Sequence, residues 1–141
     1  MTIAILEDDQ RRIDKMVRLL KRNYSTRPVE LFNMASEMIA WLETHLAEAA
    51  LISLDHDLEL DSYRDGKWID PGDGRDVANY LASRSPCCPV IVHSVNWMFA
   101  PSMVDALQES GWTHTRVSPY DDLKWIKEAW LPEVHRFLGE N

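Results

Sequence analysis

Residues 51–60 read LISLDHDLEL, an apolar run that breaks abruptly into Asp55, His56 and Asp57. Carboxylate oxygens are hard ligands suited to Mg2+ or Mn2+, and imidazole, which titrates near about pH 6.5, moves protons at neutral pH. Comparable residues end two other apolar runs: Glu7 and Asp8 close TIAIL, and His93 and Ser94 close PVIVHS, with Asn96 just beyond. A hydrolytic site needs a base for water, an acid for the leaving group and positive charge for the negative charge that develops. His56 and His93 are the candidate acid–base pair, and a metal held by Glu7, Asp8, Asp55 and Asp57 is the candidate source of positive charge. Ser94 and Asn96 could hydrogen-bond phosphate oxygens. The turn DPGDGR offers backbone N–H groups at Gly72 and Gly74 and the cation of Arg75 at a helix start. Each group has a plainer reading beside this one: acids as turn residues and caps, histidines as buried hydrogen-bonders, or histidines ligating Mn2+, Fe2+ or Zn2+ alongside the aspartates.

Positioning such groups requires strands that end together. The chain of 141 residues fits one domain spanning 1–141, with no internal repeat or linker. The first strand is expected to begin at Ile3 within TIAILEDD (2–9), where three acids stop it, and further strands are expected at 28–32, 51–55, 89–94 and 113–118. The intervening helices follow 3.6-residue apolar periodicity, the first through Ile13, Met16, Val17 and Leu20 and the others near 34–46, 74–84, 101–110 and 121–138. Asn33 is the expected cap of the second helix, and Pro132 is expected to bend the last. Five strands alternating with five helices predict a doubly wound α/β three-layer sandwich with a parallel sheet in the order 2-1-3-4-5. That order makes strands one and three neighbours and gathers Glu7 and Asp8 beside Asp55 and Asp57. Alternation along the third strand would point Asp55 and Asp57 one way and His56 the other. A polar insertion at about 59–73 exceeds what a bare turn needs, and its Asp65-Gly66 pair predicts a tight hairpin.

The net charge of −8 argues against duplex DNA as a partner. No apolar run reaches the roughly 18–20 residues of a membrane span. The first strand begins too early to leave room for a leader, so a cytoplasmic protein is expected. Adjacent Cys87 and Cys88 predict free thiols, since a bond between neighbours closes a strained ring.

The motifs resemble a response-regulator receiver domain over almost the whole chain: Glu7 and Asp8 after strand one, Asp55 ending strand three, Ser94 ending strand four and Pro119 after strand five. The resemblance implies Mg2+ at Glu7, Asp8, Asp55 and the backbone of position 57, with Asp55 as phospho-acceptor and catalytic carboxylate. The lysine that receivers carry before the proline is replaced by Ser118, with Arg116, on the same strand face, as the candidate substitute. LDHDL, DPGDG and VHSVN are more specifically similar to the bacterial cyclic-phosphate-processing receiver-like domains. That likeness implies a phosphoester hydrolase acting on a phosphate-containing small molecule or RNA end. The alternatives are a signalling receiver that changes affinity for a protein partner, and a non-enzymatic phosphate- or nucleotide-binding module.

Overall fold

The computed structural model describes residues 1–59 and 63–139. Five parallel strands form the central sheet: β1 (Thr2–Leu6), β2 (Val29–Phe32), β3 (Ala49–Leu54), β6 (Val90–His93) and β7 (His114–Val117), in the order β2-β1-β3-β6-β7. Once the two hairpin strands described below are set aside, this is the order expected from the sequence. The helices are α1 (Gln10–Asn23), α2 (Ala35–His45), α3 (Gly74–Ala82), α4 (Ala100–Glu109) and α5 (Leu131–Leu138).

Alternation along the strands divides the core in two. Ile3, Ile5, Leu51 and Ile91 pack with α1 and α5 on one face, while Ala4, Leu6, Ile52, Leu54, Val90 and Val92 pack with α2, α3 and α4 on the other. By the same parity, Glu7, Ser53 and His93 belong with the α1/α5 face.

Three local features bear on the site. The α1 cap is Asp9, whose carboxylate accepts from the N–H groups of Arg11 and Arg12, so the helix starts immediately beyond the β1 acids. Helix α3 begins against the end of β3: a Cβ on Gly74 would lie 1.9 Å from the Asp55 carbonyl oxygen, so only glycine permits this approach. A five-residue π-turn, Ile126–Trp130, runs directly into α5, with the Leu131 N–H returning to the Ile126 carbonyl. Its cause is Pro132, whose ring crowds the carbonyl four residues back and widens the preceding turn.

The insertion does form a hairpin, β4 (Tyr63–Arg64) paired antiparallel with β5 (Lys67–Trp68). Asp65 and Gly66 both have positive φ, 53° and 77°, as a type I′ turn demands. Residues 60–62 of that insertion lie outside the described residues. Asn33 does not cap α2: the cap position is Met34, which gives no side-chain bond, and the Ala35 N–H donates instead to the Pro71 carbonyl. Both cysteines are free thiols. Among the described residues no helix is long and apolar enough to cross a membrane.

Candidate functional site

Glu7 follows β1 and is buried. Its Oε2 accepts from the backbone N–H groups of Asp8 and Asp9, both at 3.0 Å, and its Oε1 faces His93 Nε2 at 3.1 Å and Arg12 Nη1 at 3.4 Å. Burial alone would raise the Glu7 pKa, but the His93 hydrogen bond, the Asp9 amide and Arg12 outweigh it and hold the carboxyl below its usual range. Asp8, half-buried, accepts from the Glu59 N–H; burial and the nearby Glu7 charge still push its carboxyl upward.

Asp55 follows β3 and is 5% exposed. Its Oδ1 accepts from the His56 N–H at 2.8 Å and its Oδ2 lies 3.6 Å from Arg12 Nη1. Burial first, then the Glu7 charge, push its pKa up to about 8, which Arg12 only partly opposes. Single carboxylate oxygens of Glu7, Asp8 and Asp55 all lie within 4.8 Å of one another. They line a cavity of about 270 Å3 together with Arg12, Asp57, Leu58 and Val95. A clustered, hard, all-oxygen donor set with excess negative charge fits a divalent cation such as Mg2+ or Mn2+.

A model of the family described as "Cyclic-phosphate processing Receiver domain" matches residues 3–109. The chain belongs to that family. No curated protein matches it. Among solved structures, it is similar to the phosphorylated cyanobacterial phytochrome response regulator RcpA, with a TM-score of 0.71 and 19% identity over 97% of this chain and 93% of that one. A response regulator receiver domain from Rhodospirillum rubrum gives 0.71 and 14% over 100% and 96%. A CheX–CheY–BeF3–Mg complex from Borrelia burgdorferi gives 0.66 and 14% over 96% and 87%. At these identities the structures show the fold, a receiver-type α/β sandwich.

The receiver domain departs from the expected site in several places. His56 and His93 do not converge. His93, buried on the α1/α5 face, bonds Ser53 and Glu7 and stacks on Trp125 at 5.8 Å. His56, on the other side, stacks on Phe99 at 5.0 Å, with Nδ1 2.8 Å from Asp57 Oδ1 and Nε2 3.5 Å from Asp73 Oδ2. The reason is parity: from β6, His93 follows Ile91 onto one face, whereas His56 follows Ile52 and Leu54 onto the other.

Asp57 lines the cavity, yet its carboxylate stands outside the three-acid group because His56 and Asn96 Nδ2 engage it. Asn96 is committed on its other side as well, its Oδ1 accepting from the Met98 and Phe99 N–H groups. Ser94 is fully buried and its hydroxyl oxygen accepts from the Asn96 N–H.

The glycine turn is likewise occupied. Gly74 N–H donates to the His56 carbonyl, Gly72 N–H to Asp70, and Asp73 and Asp76 form a reciprocal capping box at the α3 start. Arg75 lies over the Phe99 ring at 4.8 Å and does not line the acidic pocket. These groups fasten α3 to the end of β3 and leave no open phosphate cradle among Gly72, Gly74 and Arg75.

Arg116 is exposed and reaches the Ser94 carbonyl at 3.5 Å, so the cation beside Asp55 is Arg12, which sequence reading had not singled out. Its signal was present: a basic residue in the first turn of a helix opposes the macrodipole and needs a reason to be there. Here the reasons are Glu7, Asp55 and the face of Trp125, 5.3 Å from the guanidinium.

Proposed function

We propose that the acidic pocket binds one divalent cation, Mg2+ or Mn2+, together with a phosphoryl group, and that Asp55 is the carboxylate facing phosphorus. The observation that carries this is the convergence of Glu7, Asp8 and Asp55 beside Arg12 in one cavity. A bound cation would neutralise part of the carboxylate charge and draw density from the phosphoryl oxygens. Arg12 would add donors to the same oxygens. An Asp55 oxygen attacking phosphorus of a phosphodonor would form an acyl phosphate and expel the donor's leaving group. A protein partner that reads this state follows from the signalling form of the function.

A second reading, processing of cyclic phosphoesters, is favoured by the family and by Asp57. That carboxylate lines the pocket, is 62% exposed and has His56 hydrogen-bonded behind it, so it is placed to take a proton from water attacking phosphorus. The ring P–O bond would break, and its oxygen would leave as an alcohol on taking the proton that Asp57 had removed from the water.

One experiment separates these. The protein is incubated with Mg2+ or Mn2+ and either acetyl phosphate or a 2′,3′-cyclic nucleotide. Acid-labile phosphate that disappears in Asp55→Asn supports the first reading; turnover of the cyclic nucleotide that disappears in Asp57→Asn supports the second. Tight binding of a cyclic phosphate that survives unaltered makes the domain a binding module. Failure to bind metal or phosphate in any form overturns the proposal.

A further inference from the structure

Behind the acidic pocket, on the dry α1/α5 face, four polar groups form a line whose order is fixed by their chemistry. Indole N–H only donates, and Trp130 Nε1 lies 2.9 Å from Ser53 Oγ. Ser53 Oγ therefore accepts from Trp130, leaving its single proton for His93 Nδ1 at 2.7 Å. With Nδ1 accepting, the ring's own proton sits on Nε2, 3.1 Å from Glu7 Oε1, which can only accept while ionised. Trp130, Ser53 and His93 are 0% exposed and Glu7 is 1% exposed, so no water competes for these bonds. The reverse arrangement fails: a proton on Nδ1 pointing at Ser53 would deprive the hydroxyl of its acceptor among the described residues.

We propose that Trp130, Ser53 and His93 form a one-directional donor line that fixes the Glu7 carboxylate from within the buried α1/α5 face, making His93 a positioning residue in its Nε2–H tautomer and not an acid–base catalyst. The line starts in the π-turn, so it ties the pocket to the C-terminal helix. Trp125, directly before that turn, packs against both His93 and Arg12, which couples the two groups that contact Glu7 Oε1. With Oε2 taken by two backbone amides, donors fix both oxygens of this carboxylate. The consequence for cation binding rests on the function proposed above; the donor line itself does not.

Two measurements test it. Long-range 1H–15N correlation spectra of the whole protein at neutral pH should show His93 with its proton on Nε2 and a bare Nδ1, and Ser53→Ala should disturb that pattern. A proton on Nδ1, or a pattern indifferent to Ser53→Ala, overturns the proposal whether or not metal binds. Mn2+ titration should then separate two replacements at one site. His93→Gln, whose amide can still donate to Glu7, should bind within about threefold of the wild type, while His93→Phe, ring-sized but without a donor, should bind about tenfold more weakly or worse. Equal Mn2+ affinity in His93→Phe and the wild type would contradict the positioning role. Wild-type protein that binds no Mn2+ would end the pocket reading while leaving the spectra to decide the donor line.

Discussion

His93 and His56 stand near the ends of the neighbouring strands β3 and β6, on opposite faces of one sheet, and the two faces treat them differently. On the α1/α5 face, Trp130, Ser53, His93 and Glu7 are sealed from water and each makes a directed bond to the next. On the α3/α4 face, His56 is buried, but its Nδ1 meets the exposed Asp57 and its Nε2 has no hydrogen-bond partner among the described residues, the Asp73 carboxylate standing 3.5 Å off. Ring stacking secures both, His93 on Trp125 and His56 on Phe99. The difference lies in the polar contacts. The line to Glu7 pairs each of its donors and acceptors, whereas on each face one buried nitrogen outside it goes unpaired among the described residues, His56 Nε2 on one and Trp125 Nε1 on the other.

The largest effect that would break this comparison is expected where backbone meets backbone. Gly74→Ala forces a Cβ into the Asp55 carbonyl, and neither atom belongs to a flexible side chain, so a loss of about 3 kcal/mol or more is expected in urea unfolding. Ser53→Ala comes next. It leaves Trp130 Nε1 and His93 Nδ1 unpaired in a dry interior and should cost about 2 kcal/mol. On the other face, His56→Phe keeps an aromatic ring against Phe99, removes Nε2, which has no partner among the described residues, and gives up at Nδ1 only a bond to the exposed Asp57 carboxylate, which water can replace, so the change should stay under about 1 kcal/mol. Equal losses from the Ser53 and His56 replacements would erase the distinction between the faces.

The pH dependence of stability sharpens the contrast between the two pocket acids. Asp55 has a raised folded-state pKa, so between about pH 4, where the unfolded aspartate titrates, and about 8 the folded chain binds the extra proton. Stability from this group is therefore full below that window and declines as pH rises through it. Glu7 is held low, so its contribution is lost only as pH falls below the usual carboxylate range. Melting temperatures of the wild type in chelator should fall from pH 4 to pH 8 more steeply than those of Asp55→Asn. Saturating Mg2+ or Mn2+ should flatten the wild-type profile by stabilising the ionised acid.

Much of this was legible in the sequence because it rests on short-range rules. Alternating apolar runs and helical periodicity carried the sheet order, and that order alone brought Glu7 and Asp8 beside Asp55. Asp65-Gly66 announced its hairpin through turn chemistry. What escaped depended on where a side chain ends up. Parity gave the direction of His56 relative to Asp55, but β6 had to be set in register with β3 before His93 could be assigned to the opposite face. Gly74 read as a phosphate contact because the motif shows a helix start and a glycine; that the space is filled by the Asp55 carbonyl is a tertiary fact. Arg12 stood in plain view, yet its place between two acids depends on β3 arriving beside α1. The Ser53–Trp130 bond joins residues 77 apart, which no local pattern encodes.

The most direct test of the pocket is Mn2+ binding to the wild type, Asp55→Asn and Asp57→Asn at neutral pH, followed by calorimetry or by the paramagnetic relaxation of water. One saturable ion per chain is predicted, bound at least about tenfold more weakly by Asp55→Asn and nearly unchanged in Asp57→Asn. No saturable binding, or an Asp55→Asn protein that binds as the wild type does, would contradict it.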